Sequence, residues 1–265
     1  MRHDPAAAPI SERALEAALP VFARVGDAAI HDDGDLRRIA TGRPYESFNH
    51  VYAVRLGADD ADLRIAAVDE AMRGSGSLPA TWWIGPSTRP EDLAHRLNAA
   101  GLREDEPEFG MVIDTAATRP RAETPRDATV VRVTDDAGLH DWTSVMAASY
   151  GWSDPTKADA VLSVYRSVPS SDRPWVHLLV RVDGQPVACG SLFLVGGHAF
   201  VTNIGTVPTE RGRGLGSLVT TATVDLAREL GHPVASLTAS VMGRSVYARL
   251  GFREDARFER YVLES

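Results

Sequence analysis

The chain has a single cysteine, Cys189, and a single lysine, Lys157, among its 265 residues. One thiol excludes an internal disulfide and any metal site built from several thiolates. It also fits a reducing, cytoplasmic setting. Every other cationic side chain is arginine, as codon bias in a GC-rich genome produces. No stretch approaches the roughly 18 apolar residues that a membrane-spanning helix needs. Met1 to Ile10 contains Arg2 and His3 but no apolar core followed by a small-residue cleavage site, so the sequence predicts no signal peptide. Positive charge is in deficit, with 28 Lys and Arg against 36 Asp and Glu and a net charge of -8. That balance argues against nucleic acid and membrane surfaces as partners and favours a cationic one, such as a primary amine.

What is present belongs to an ordinary globular protein, 44% apolar and 24% charged. The length fits one large domain or two small ones. In the first half, a helix is expected from a Ser11 cap to about Val25, a strand over Phe48–Leu56 and a helix over Asp60–Met72. A strand over Thr81–Ile84, a helix over Arg89–Ala100 stopped by Gly101, and a strand over Gly110–Asp114 follow. Thr115 to Asp127 is rich in Pro, Thr, Ala and Arg without an apolar period and reads as a linker. The expected organisation is therefore a domain over 1–114, a linker over 115–127 and a domain over 128–265.

The second half opens with a strand over Thr129–Val133 and helices over Asp135–Ser149 and Thr156–Val168. Three strands are expected over Val176–Val182, Val187–Val195 and Ala199–Val207, joined by hairpin turns at Asp183-Gly184 and Gly196-Gly197. A long helix over Gly214–Leu230, a strand over Val234–Leu237, a helix over Arg244–Leu250 and a strand over Arg257–Leu263 complete the chain. The order is α+β with a mixed sheet. Gly101-Leu-Arg-Glu-Asp105 is echoed by Gly251-Phe-Arg-Glu-Asp255, each after a helix and before a strand. The shared context points to an ancient duplication.

The chemistry concentrates in Val207-Pro-Thr-Glu-Arg-Gly-Arg-Gly-Leu-Gly-Ser217, between a strand and a long helix. Gly212, Gly214 and Gly216 let backbone N–H groups approach an anion, and the positive end of the helix faces it. Arg211 and Arg213 add charge at the rim. A mononucleotide P-loop is excluded by the missing Gly-Lys-Ser/Thr. A dinucleotide fingerprint is excluded by Ser217 at its third glycine position and by the loop's place after the fourth strand of its half.

Arg211-Gly-Arg-Gly-Leu-Gly216 resembles the coenzyme A pyrophosphate loop of the GNAT superfamily of N-acetyltransferases, Gln/Arg-x-x-Gly-x-Gly/Ala. Val246-Tyr-Ala-Arg-Leu-Gly-Phe252 resembles the same family's later signature, a Tyr four residues ahead of a Gly-Phe pair. The resemblance covers the whole second half and implies acetyl-CoA as co-substrate, bound between two splayed strands, Ala199–Val207 and Val234–Leu237. It implies that the backbone of Gly205, Thr206 and Val207 holds the pantetheine, and that Arg211, Gly212, Arg213, Gly214, Leu215, Gly216 and Ser217 cradle the pyrophosphate. Tyr247 is then the acid that protonates the departing thiolate. Where the family often has an Asn that contacts the cofactor, seven residues before the tyrosine, this chain has Ser240, which has shorter reach.

The implied function is N-acetyl transfer to an amine of a small molecule or peptide. A non-catalytic acetyl-CoA sensor is the alternative, because no general base stands out among Ser191, His198 and Asn203. Cys189, inside an apolar strand, reads as buried and structural rather than as an acyl carrier. No metal site is expected, and the sequence carries no signal for acceptor identity or oligomeric state.

The first half resembles a worn copy of the same fold. Gly57-Ala-Asp-Asp-Ala61 replaces the phosphate loop, with Asp59 and Asp60 expected to cap the helix and repel a pyrophosphate. Leu97 stands where Tyr247 stands in the second half, so no cofactor is expected there. The tandem layout is similar to that of mycothiol synthase-like enzymes, in which one half is catalytically reduced. Trp82 and Trp83 read as core residues of a strand.

Overall fold

A computed structural model of the chain describes residues 8–24, 28–117, 125, 127–168 and 172–265. The chain divides into two compact units, Met1–Gly110 with Glu254–Ser265, and Met111–Arg253. The expected boundaries divide the chain by sequence order. The compact units differ in assigning the last strand to the first unit and residues from Met111 onward to the second. Most of the proposed linker lies outside the described residues, but Thr115 does not behave as a linker residue. It is buried, and its hydroxyl and N–H donate to the His232 and Pro233 carbonyls at 2.9 Å each.

In the first unit, helix α1 spans Ile10–Ala18 and tightens into a 3₁₀ turn over Leu19–Arg24, where Pro20 lacks the N–H a continuing helix needs. Its N-cap is Pro9, not the expected Ser11, whose hydroxyl instead donates to Asp255. Strands β1 (Ala29–Asp32) and β2 (Arg37–Ala40) form a hairpin that the sequence did not signal. Next come β3 (His50–Tyr52), α2 (Ala61–Gly74), β4 (Ala80–Ile84), α3 (Leu93–Ala99) and β5 (Arg103–Asp114). The final strand of the chain, β11 (Arg253–Leu263), pairs antiparallel with β4, giving the sheet order β1-β2-β3-β4-β11-β5.

Burial of Val51, Ile65, Met72, Trp82, Leu93, Leu97 and Tyr261 builds this unit's core. Leu97 is fully buried, so the position matching Tyr247 is a packing residue. Trp82 belongs to the core, whereas Trp83 is half-buried and donates through Nε1 to His50 Nδ1 at 3.2 Å. Asp60 occupies the N-cap of α2, but its side chain makes no capping hydrogen bond and leans back toward Gly57. The expected acidic cap is thus present in position only.

In the second unit the order is β6 (Ala128–Arg132), α4 (Asp136–Tyr150), α5 (Pro155–Arg166), β7 (Trp175–Val182), β8 (Gln185–Val195) and β9 (His198–Thr206). Helix α6 (Leu215–Glu229), β10 (Val234–Ala239) and α7 (Val241–Leu250) follow. Its strands run β10-β9-β8-β7-β6, with the end of β5 beside β10. β6 to β9 pair antiparallel through hairpins, and β9 and β10 pair parallel. Asp135 and Asp154 cap α4 and α5 through their carboxylates, on Gly138 N–H at 2.7 Å and Thr156 N–H at 2.9 Å.

The echoed pentapeptides occupy the same structural context. Gly101 and Gly251 both adopt left-handed φ just after α3 and α7, and each leads directly into a long strand, β5 or β11. Glycine takes that conformation without cost, so both copies of the pentapeptide stop a helix and start a strand in the same way.

Candidate functional site

The site begins with a sheet that opens. β9 and β10 pair only at Ala199–Ala235 and Phe200–Ser236. Beyond that point Val201–Thr206 and Leu237–Ala239 run without registered pairing, so the two parallel strands splay and leave a gap. A bulge in β9 accompanies the divergence. Cys189 faces Gly205 and Ser191 faces Thr202, which leaves Asn203 and Ile204 together opposite Gly190. Asn203 has φ of 56°, and an extra residue of this kind bends and twists its strand. Gly190 makes the bulge sterically possible, since a Cβ there would lie 2.8 Å from Ile204 Cδ1 and 3.0 Å from Val219 Cγ2.

Gly205 and Thr206 form the far end of β9, and Val207 follows directly. Gly205 sits under α4, where a Cβ would meet Ser149 Cβ at 2.7 Å. Gly205→Ala is therefore expected to lower stability by about 1–3 kcal/mol, as overpacking does, measured by urea unfolding. The Val207 N–H donates to the Val187 carbonyl at 3.0 Å across β8. By strand alternation the polar groups of Thr206 turn to the opposite edge, where its carbonyl accepts from Arg211 Nε at 3.3 Å. Of the three residues, Thr206 is the one whose peptide group faces the gap.

The loop that follows is exposed and rich in unpaired donors. Gly212 and Gly214 have φ of 78° and 76°, and Gly214 is the N-cap of α6 with no side chain to offer. Among the described residues, the backbone N–H groups from Gly212 to Ser217 make no hydrogen bond. Those donors and the positive end of α6 point to an anion. The arginines are placed differently from a simple charged rim. Arg211 fastens its guanidinium to the Ser149 carbonyl at 2.8 Å and to Thr206, so it joins the end of α4 to the end of β9 while keeping its charge. Arg213 pairs with Glu210 and lies 3.7 Å from Asp127, which offsets its charge. The backbone amides, more than the side chains, supply the attraction.

Ser240 and Tyr247 lie on the next turn of chain, with α7 packed against α6 and β10. Ser240 caps α7, its hydroxyl oxygen accepting from Gly243 N–H at 3.2 Å. Its exposed hydroxyl proton can still be donated. Ser240→Ala is expected to destabilise the unit by about 1 kcal/mol through the lost cap, read from the unfolding midpoint. Tyr247 is half-buried, and its ring meets Phe252 edge-on with centroids 5.9 Å apart. The left-handed Gly251 turns the chain so that Phe252 N–H returns to the Tyr247 carbonyl at 3.1 Å. The Tyr…Gly-Phe signature is thus one compact helix end.

A buried polar cluster that sequence reading did not assemble lies on the α4–α5 side of this sheet. His177 Nδ1 is 2.7 Å from Ser191 Oγ, and Asn203 Nδ2 donates to Ser191 Oγ at 3.3 Å and to Tyr165 Oη at 3.2 Å. Trp142 lies over the imidazole at 4.2 Å and Tyr165 meets it edge-on at 4.4 Å. Burial, reinforced by the Arg173 charge, pulls the His177 pKa down to about 3. Ser191 and Asn203 were visible in the sequence as polar strand residues, but His177 and Tyr165 reach them only through sheet register and α5. His198 begins β9 directly after the Gly196-Gly197 turn. Cys189 is buried, its thiol pushed up to about 12 by desolvation, which makes it inert as a nucleophile.

Among the described residues no group of three His, Cys, Asp or Glu could hold a metal ion, and no helix is long and apolar enough to cross a membrane.

A sheet opened between two parallel strands, followed by an unpaired amide loop at a helix start, is the layout of the GNAT fold. Residues 139–252, most of the second half of the chain, match the model of the acetyltransferase (GNAT) family. The fold is shared along almost the whole chain with a GCN5-related N-acetyltransferase from Kribbella flavida, at 19% identity and TM-score 0.74, covering 96% of this chain and 95% of that one. It is shared also with a GCN5-related N-acetyltransferase from Sphaerobacter thermophilus, at 17% identity and TM-score 0.66, covering 87% and 76%. A tandem GNAT protein from the clavulanic acid biosynthesis pathway matches at 17% identity and TM-score 0.61, covering 86% and 78%. At these identities the likeness is one of fold. No curated protein matches the sequence.

Proposed function

We propose that the second unit transfers the acetyl group of acetyl-CoA to an amine of a small molecule or peptide by direct attack. The observation that carries this reading is the run of unpaired N–H groups from Gly212 to Ser217 at the mouth of the β9–β10 gap. A pyrophosphate satisfies those donors, and the gap takes the pantetheine along Thr206. The acceptor nitrogen then attacks the thioester carbonyl carbon, the carbon–sulfur bond breaks, and Tyr247 gives its phenolic proton to the leaving thiolate. The proton released by the amine passes to water. The proposed cofactor contacts are Gly205, Thr206, Val207, Arg211–Ser217 and Ser240. Val207 acts through its carbonyl or side chain, because its N–H is engaged by Val187.

In evolutionary terms residues 128–265 form the catalytic domain and 1–114 its degenerate copy, joined through 115–127. The buried Leu97 and the acidic Asp59-Asp60 turn support a first half that binds no acetyl-CoA. The net charge of -8 favours cationic acceptors at long range. A panel of amines assayed by release of free coenzyme A tests the reading. Amine-dependent thiol release supports transfer, whereas acetyl-CoA binding with no release for any amine would make the domain a sensor.

A further inference from the structure

The second unit contains a cavity of about 270 Å³ bounded by the start of β7, the end of α5 and the start of α4. Thr134, Leu139, Tyr165, Arg173, Trp175 and His177 line it, and no carboxylate does so among the described residues. Its volume is far above the roughly 30 Å³ that one water occupies in the liquid. His177 is 4% exposed, and its Nε2 is buried without a hydrogen-bond partner among the described residues. A buried polar nitrogen placed in this way gains from a hydrogen-bond partner brought into the cavity.

The hydrogen-bond chain behind the imidazole accommodates the tautomer that carries its proton on Nε2. The Asn203 amide nitrogen can only donate, so Ser191 Oγ accepts from it and still has its own proton to give to His177 Nδ1. In that tautomer Nδ1 is the acceptor, and Nε2 bears the N–H that borders the cavity. Burial and the nearby Arg173 charge keep the ring neutral at ordinary pH. The Arg173 Nε donates to the Val168 carbonyl at 2.9 Å, and no carboxylate neutralises its charge among the described residues. The cavity therefore presents a cation and a buried neutral donor, with apolar and aromatic walls from Leu139, Trp175 and Tyr165.

We propose that this cavity binds a small carboxylate anion with an apolar or aromatic body. The carboxylate accepts from His177 Nε2 and from the Arg173 guanidinium, and the body lies against Trp175 and Leu139. This goes beyond the acetyl-transfer reading and does not rest on it. The site is separate from the Gly212–Ser217 loop and is linked to the β9 bulge through Ser191 and Tyr165, both of which bond to Asn203.

The test is titration of the full chain with acetate, propionate, benzoate and phenylacetate, followed by tryptophan fluorescence and by ligand-observed NMR. Benzamide and benzylamine serve as neutral and cationic comparators of similar shape. At least one carboxylate is expected to bind saturably and about tenfold or more tighter than its neutral comparator. Arg173→Leu, at a half-buried position, should weaken it at least about tenfold, as should His177→Leu. His177→Gln keeps a side-chain N–H donor and should stay within about threefold of the wild type. Unfolding midpoints separate loss of binding from loss of fold, and the Arg173→Leu and benzamide comparisons decide the matter if His177→Leu does not fold. Equal binding of benzoate and benzamide, or saturation by none of the four carboxylates, would overturn the proposal and leave a cavity filled by water.

Discussion

Gly214→Asp is expected to weaken acetyl-CoA binding by about 100-fold, roughly 2.7 kcal/mol, while leaving the protein folded. Gly214 is the N-cap of α6 at φ of 76°, beside the unpaired amides of the loop. Aspartate is among the residues that tolerate left-handed φ and favour the N-cap, so the helix keeps its start. Its carboxylate, however, takes up the positive end of the helix and repels the incoming pyrophosphate. Two unit charges about 4 Å apart interact by about 4 kcal/mol at an effective dielectric near 20, and exposure of the loop reduces that figure. Gly214→Asn is the control, with the same shape and backbone tolerance but no charge. It should bind acetyl-CoA within about tenfold of the wild type. Equal losses in both variants would assign the effect to strain and remove the electrostatic account of the loop.

Tyr247→Phe is expected to lower kcat by about 100-fold, with acetyl-CoA affinity within about twofold. A positioned general acid contributes about 10²–10⁴-fold in typical enzymes, and a thiolate leaves readily enough to place this case at the lower end. The phenyl ring preserves the edge contact with Phe252 and the turn at Gly251, so folding is unaffected. Steady-state rates with a reactive amine from the panel, together with equilibrium binding of acetyl-CoA, separate the two parameters. Unchanged turnover would take the acid role from Tyr247 and leave it as packing for the helix end.

Local chemistry made much of the second unit legible in advance. The Asp183-Gly184 and Gly196-Gly197 turns have the positive φ values that two-residue hairpins require, and Asp135 caps α4 through its carboxylate. Elements lacking a local signal were missed or misjudged. The β1–β2 hairpin is short and largely polar, so no apolar alternation marks it. The charged starts of β5 and β11, Arg103-Glu-Asp105 and Arg253-Glu-Asp255, hid several strand residues, because their solvent-facing side chains resemble a loop. Ser11 looked like a cap, but Asp255 holds its hydroxyl over a sequence distance that no local reading spans.

The candidate site divides in the same way. The glycine loop and the Tyr…Gly-Phe helix end are contiguous in sequence and were readable from it. The fastening of Arg211 to Ser149, and the chain from His177 through Ser191 to Asn203, exist only once α4, β7, β8 and β9 are brought side by side. Strand register, set by the β9 bulge opposite Gly190, decides which polar residues meet.

Calorimetric titration of the intact protein with acetyl-CoA tests the central claim most directly. The account predicts saturable binding at one site per chain, because among the described residues the glycine-rich loop with unpaired amides lies in the second unit, whereas the first is proposed to have Asp59-Asp60 and Leu97 in place of that loop and of Tyr247. Absence of binding by folded protein would contradict an acetyl-CoA site in the β9–β10 gap, and two equivalent sites per chain would contradict the silent first half.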